Sequence, residues 1–271
     1  MLAVPHSYAD YNHAGSPAND VIFVECDTTT SPGFPEALAE LEDGSSSEGV
    51  KGFISWAPMT DLGELQHFMH LVYSHDTRHL IRGVRMLLQD KPDGLCCSEE
   101  FIKCAKYLGT LKLSFAIGID VHRRGMTQLE DALCLIEACP DTVFIIDHLA
   151  KPDLSVPFDL CYASTMTIIA SYPNVYMKLS GCFTELEHGA ALPHPVLYSY
   201  LKFNLEVFSA HRLIFGSDWP ILKASQAASS IDKTPQGWFN YCYNALTSLG
   251  ASEHDLCSIF ADNAIVVYQI A

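Results

Sequence analysis

Seven short apolar runs punctuate the chain, each bounded by polar or turn-forming residues: Val21–Cys26, Lys51–Ala57, Ile81–Leu87, Leu113–Asp120, Thr142–Asp147, Val175–Ser180 and Leu213–Phe215. Their length and their β-branched and aromatic content predict buried strands. Between them lie stretches of helical periodicity. Pro35–Leu41, a segment capped by Asp61 and running to Tyr73, one opened by Ser98 and running to Leu108, Phe158–Ser171, Pro195–Ala210 and Pro235–Leu249 all read as helices. Thr127 with Glu130 predicts a capping box ahead of a helix that ends before Pro140. Ser252 opens the last helix, which Asn263 is expected to interrupt. Residues 1–19 read as an irregular segment ahead of the first strand, and the whole of 1–271 as one domain.

Strand then helix, repeated seven times, predicts an all-parallel sheet with helices packed outside it. Spacings of about thirty residues suit a (β/α)8 barrel in which one strand, the first, is unaccounted for. An open, doubly wound sheet is the alternative.

Composition narrows the function classes. Thirty-two acidic against sixteen basic residues give a formal charge of −16, which argues against nucleic acid or an anionic membrane as partner. No apolar run approaches the length of a membrane span, and a cytoplasmic protein acting on a small molecule is expected. The ten cysteines lack CxxC spacing and sit in apolar stretches, so they read as small buried hydrophobes in a reducing compartment.

Chemistry is expected where the strands end. In a barrel, Glu25, Trp56, Arg85, His122, His148, Ser180 and Asp218 would converge on one mouth. Asp218, after the turn Gly216-Ser217, is either a general base or a cap for the segment that follows. Arg85, inside an apolar strand, needs an anion: Glu25 or a ligand carboxylate. Trp56 is a ligand platform or rim packing, and Lys178 a buried ion-pair member. His148 ends an apolar strand and is followed at once by Lys151 and Pro152. His67, His70, His75 and His79 read as surface residues. A carboxylate that accepts a proton from water, beside imidazole and guanidinium groups that receive an oxyanion, serves hydrolysis of an ester-like or amide-like bond. GxSxG, GxGxxG and Walker motifs are absent.

The blocks VIFVECD, GVRMLLQDKPDG, IGIDVHRRG, FIIDHLAKPDL, VYMKLSGCF, RLIFGSDWP and FADNAIVVY, spread in this order from Val21 to Tyr268, resemble the amidohydrolase-related family in its sugar-lactonase branch, similar to L-rhamnono-lactonase and L-fuconolactonase. The resemblance implies a distorted (β/α)8 barrel that hydrolyses the lactone ring of a sugar acid or related carboxylate. It maps the general base onto Asp218, the strand-end histidine onto His148, and substrate-binding positions onto Arg85 and His122. Glu25, Trp56 and Lys151 are further substrate-binding candidates of the same mouth. Family members begin with a strand ending in His-x-His, which this chain lacks, so two usual metal-ligand positions are missing. No cofactor is expected to be required. A single zinc held by His122, His148 and Asp218 is the alternative, with a metal-dependent amidohydrolase or decarboxylase as the corresponding function; a catalytically inactive barrel that binds a small ligand is the third reading.

Overall fold

The structure is a computed structural model that describes residues 8–25, 34–185, 194–224 and 231–270. Seven strands form one parallel sheet: β1 (Val21–Val24), β2 (Val50–Trp56), β3 (Ile81–Leu87), β4 (Ser114–Gly118), β5 (Val143–Ile146), β6 (Val175–Leu179) and β7 (Leu213–Phe215). Each pairs with the next in chain order. A doubly wound sheet would reverse its order at a switch point, and this one does not. The crossovers between successive strands carry most helices on one face of the sheet, which curls into a half-barrel. The helices are α1 (Tyr8–His13), α2 (Phe34–Ser45), α3 (Leu62–His75), α4 (Glu99–Thr110), α5 (Val121–Arg124), α6 (Thr127–Ala138), α7 (Leu160–Ala170), α8 (His194–Phe208), α9 (Ile221–Ala224), α10 (Pro235–Ser248), α11 (Glu253–Cys257) and α12 (Asn263–Val267).

Strand alternation sorts the core into two layers. Phe53, Val84, Phe115, Phe144 and Met177 face outward into the large core beneath the helices. Ile54, Ala116, Ile145 and Ile214 point the other way, into a smaller cluster closed by Val267 and Tyr268 from the end of the chain. α12 therefore fills the concave side of the sheet. It is held there by Asn263, whose side-chain amide donates to the carbonyls of Ala210 and Leu213 at 2.7 Å each. Asn263 does not interrupt the last helix; a wide turn over Ser258–Asp262 precedes it.

Local signals mostly act as the sequence predicts. Asp61 and Ser98 cap α3 and α4, and Ser252 with Asp255 forms a capping box on α11. Thr127 does not cap: Met126 already has helical dihedrals, so Thr127 is inside α6 and its hydroxyl has no free N–H to meet. Part of the segment expected to be irregular is helical, as α1. Tyr11 packs edge-on against Trp219 and the Gly15 carbonyl accepts from Gln236, so residues 8–20 reach from the first strand toward the last. Among the described residues β1 and β7 do not pair with each other. Cys26, the last residue of the first predicted strand, lies outside the described residues. Cys134, Cys161 and Cys257 are exposed, contrary to the expectation that the cysteines are buried hydrophobes. No helix among the described residues is long and apolar enough to cross a membrane.

Candidate active site

Inward-pointing positions near the carboxyl ends of the strands carry a buried network of charges. Arg85 on β3, register partner of Trp56 on β2 and of Ala116 on β4, lies in the concave face. Its guanidinium sits between Glu25, just past β1, at 3.6 Å, and Asp147, just past β5, at 3.2 Å. Asp147 also takes a short hydrogen bond from Lys178 on β6. All four side chains are buried. Burial alone would raise the Asp147 carboxyl, but Lys178 and Arg85 outweigh it and hold the group at about 2. The same pairing raises Lys178 against its own desolvation. Two cations inside a strand layer are thus satisfied by two carboxylates, one following β1 and one following β5. Sequence reasoning passes over Asp147; its alternation with Ile145, facing the same way as Arg85, is the signal that finds it.

Beside this network lie His148 and Asp218. The chain after β5 makes one left-handed turn: His148, Leu149, Ala150 and Lys151 all have φ between 51° and 60°. For non-glycine residues this conformation costs on the order of 1–2 kcal/mol each, so it persists only where surroundings impose it. Here they do. The Lys151 N–H closes on the His148 carbonyl, His122 N–H donates to the Lys151 carbonyl, and the buried Tyr162 hydroxyl holds the Leu149 carbonyl at 3.0 Å. The turn aims His148 toward Ser180 and Asp218, and Lys151 toward Gln89 and Glu185.

His148 Nε2 stands 3.6 Å from Asp218 Oδ1, and each side chain keeps 14% of its surface exposed. The Asp218 carboxylate does not cap the following segment; its main-chain carbonyl accepts from Leu222 instead. Burial pushes Asp218 up to about 7, with Lys151 and Arg85 pulling the other way. Burial pushes His148 down to about 3, against the pull of the adjacent Asp147 carboxylate and with the help of Lys178, Lys151 and Arg85. The pair therefore consists, near neutrality, of a neutral imidazole and a carboxyl group poised to gain or lose a proton.

A second cluster lies around Glu185, which is fully buried after β6. It meets His122 Nδ1 at 3.3 Å, Arg123 at 2.9 Å and Lys151 at 3.9 Å, while His122 Nε2 approaches Asp153 at 3.7 Å. Nothing in the sequence pattern marks Glu185, because its partners come from two other loops. Trp56 is occupied in aromatic packing against Phe68 and Phe34. His67, His70, His75 and His79 are exposed.

For a metal, His148 and Asp218 offer two donors. The third expected donor, His122, is engaged with Glu185 and Asp153, and among the described residues no three His, Cys, Asp or Glu side chains are gathered to hold an ion. A zinc site with three protein ligands does not fit this donor set.

Comparison with known proteins agrees with this architecture. The amidohydrolase family model matches residues 30–270. L-rhamnono-gamma-lactonase of Scheffersomyces stipitis is 30% identical over 238 residues, 82% of this chain and 69% of that protein. L-fucono-1,5-lactonase of Burkholderia ambifaria is 34% identical over 143 residues, 52% of this chain and 46% of its relative. Among solved structures, an amidohydrolase from Burkholderia multivorans with bound zinc superposes with a TM-score of 0.83 at 21% identity, covering 100% of this chain and 90% of that one. Amidohydrolase 2 from Bifidobacterium longum subsp. infantis gives 0.65 at 18% identity, over 97% and 85% of the two chains. The two structures speak to the fold. With the family model spanning nearly the whole chain, the protein belongs to the amidohydrolase family.

Proposed function

We propose that the chain is a hydrolase that opens the lactone ring of a sugar acid or related carboxylate, on a (β/α)8-type barrel lacking one strand. The observation that carries this reading is the Asp218–His148 pair: a carboxyl group titrating at about 7, set 3.6 Å from a neutral imidazole. Lactonase relatives support the substrate class. In the proposed reaction Asp218, ionised, takes a proton from water as the water oxygen attacks the lactone carbonyl. The oxyanion that forms is received by His148 and by the ammonium of Lys151. When the ring C–O bond breaks, Asp218 returns the proton to the departing ring oxygen, and lactone plus water has become a hydroxy acid. Arg85, held by Glu25 and Asp147, contributes positive field rather than a free hand for substrate. His122 and Trp56 serve the surrounding wall.

The test is turnover over a panel of sugar-acid lactones as a function of pH. Asp218 works as the carboxylate, so kcat/KM is expected to rise with pH through an inflection near 7 and to level off above it. His148, neutral down to about 3, adds no second inflection between pH 5 and 9. A profile flat across neutrality refutes Asp218 as base, and binding without turnover of any lactone favours the inactive-barrel reading.

The metal-dependent reading takes its support from the zinc in the Burkholderia multivorans structure. Since this donor set does not complete such a site, activity is expected to survive dialysis against a chelator, and the purified protein to carry less than one zinc per chain. Activity lost on chelation and restored by zinc alone would reverse the assignment.

A further inference from the structure

We infer that Ser180 is a positioning residue that fixes His148 in the tautomer protonated on Nε2, so that this N–H faces Asp218 and the mouth. Its chemical meaning rests on the hydrolase reading; the tautomer itself does not. The Ser180 hydroxyl lies 2.8 Å from His148 Nδ1 and is fully buried. Among the described residues this hydroxyl has no other hydrogen-bond partner.

That isolation decides the direction of the bond. Were Nδ1–H to donate to Ser180, the hydroxyl proton would be buried with no acceptor, the costly outcome for a polar group out of water. With the hydroxyl donating, Nδ1 accepts and every proton is placed. A neutral imidazole then carries its hydrogen on Nε2.

Gly181 makes room for the ring in this position. The ring lies over this glycine, at φ 71°, where a Cβ would come within 2.5 Å of the His148 Cγ and 2.6 Å of Nδ1. Only a glycine Cα lets the imidazole sit there. Ser180 and Gly181, adjacent at the end of β6, thus grip one edge and one face of a ring whose far nitrogen stands 3.6 Å from Asp218. His148 so held points its N–H toward the Asp218 carboxylate, 3.6 Å away, and serves as hydrogen-bond donor to the carbonyl oxygen of a bound lactone. It is not a second base competing for the water proton.

The experiment is a long-range nitrogen–proton NMR spectrum of the full chain labelled with 15N-histidine at pH 7 without substrate, the His148 signals being assigned by their loss in His148→Gln. A bare Nδ1 with a protonated Nε2 is expected. The opposite tautomer, or a doubly protonated ring, overturns the inference. Ser180→Ala is expected to give a mixture of tautomers and to lower kcat/KM for a turned-over lactone about tenfold, mainly through kcat, as one lost hydrogen bond would. Ser180→Cys, which keeps a donor of similar size, is expected to retain the wild-type spectrum. An Ala spectrum identical to wild type removes Ser180 from the role. If Ala does not fold, the wild-type and Cys spectra still decide. Nε2 protonation in a protein that turns over no lactone would sink the hydrolase reading alone.

Discussion

Asp218→Asn is expected to lower turnover of a lactone substrate by about 10²–10⁴-fold, the usual worth of a positioned general base. The amide has the same shape and nearly the same volume but cannot accept the water proton. It should not cost stability. Unfolded, the carboxyl gives up its proton at about 3.8; folded, burial holds the proton to about 7. Between those values the unfolded chain binds fewer protons, so stability falls as pH rises through the window. The neutral amide is spared that loss. Thermal unfolding of both proteins at pH 5 and pH 8 should therefore show the Asp218→Asn variant gaining on the wild type at the higher pH, while its kcat collapses at pH 8, where the wild-type carboxylate is ionised. A variant that keeps wild-type kcat, or one destabilised equally at both pH values, contradicts the assignment of this carboxylate as a strained, functional group.

Asp147→Leu is expected to be the most damaging single replacement for stability. It strips the shared counter-ion from Lys178 and from one side of Arg85, both buried, and breaking a buried pair on one side costs about 3–5 kcal/mol. Urea unfolding would read this directly, as a lower midpoint at unchanged slope. Because the folded carboxyl titrates at about 2, below its ordinary 3.8, its contribution is fully present above that ordinary value and is lost as pH falls through the lower one. Adding Lys178→Met to Asp147→Leu should recover part of the loss, since the second cation is then gone as well. A single mutant within about 1 kcal/mol of wild type would mean that water, not Asp147, satisfies these cations.

How far the sequence carries the reader depends on the kind of constraint. The strands are legible because a strand covered on both faces must be apolar throughout, as Phe144, Ile145 and Ile146 are. Arg85 and Lys178 are legible as demands: a charge within such a run needs a partner. The partner Asp147 is less so, because the Asp-His pair draws attention to the imidazole while the aspartate next to it faces the network. Thr127 shows the limit of local rules, since a capping box requires an extended residue and Met126 has already entered the helix. Glu185 is beyond sequence reasoning: it meets His122, Arg123 and Lys151 only after three loops fold onto one another. The left-handed geometry of residues 148–151 is likewise invisible, as none of the four is glycine.

That turn has a bearing on how such a protein can diversify. A neutral donor and a cation three positions apart share one unfavourable stretch of backbone, so neither can be shifted without carrying the other along. Changes that reshape the mouth without disturbing either group are therefore expected in the remaining rim loops, where insertions and exchanges are tolerated.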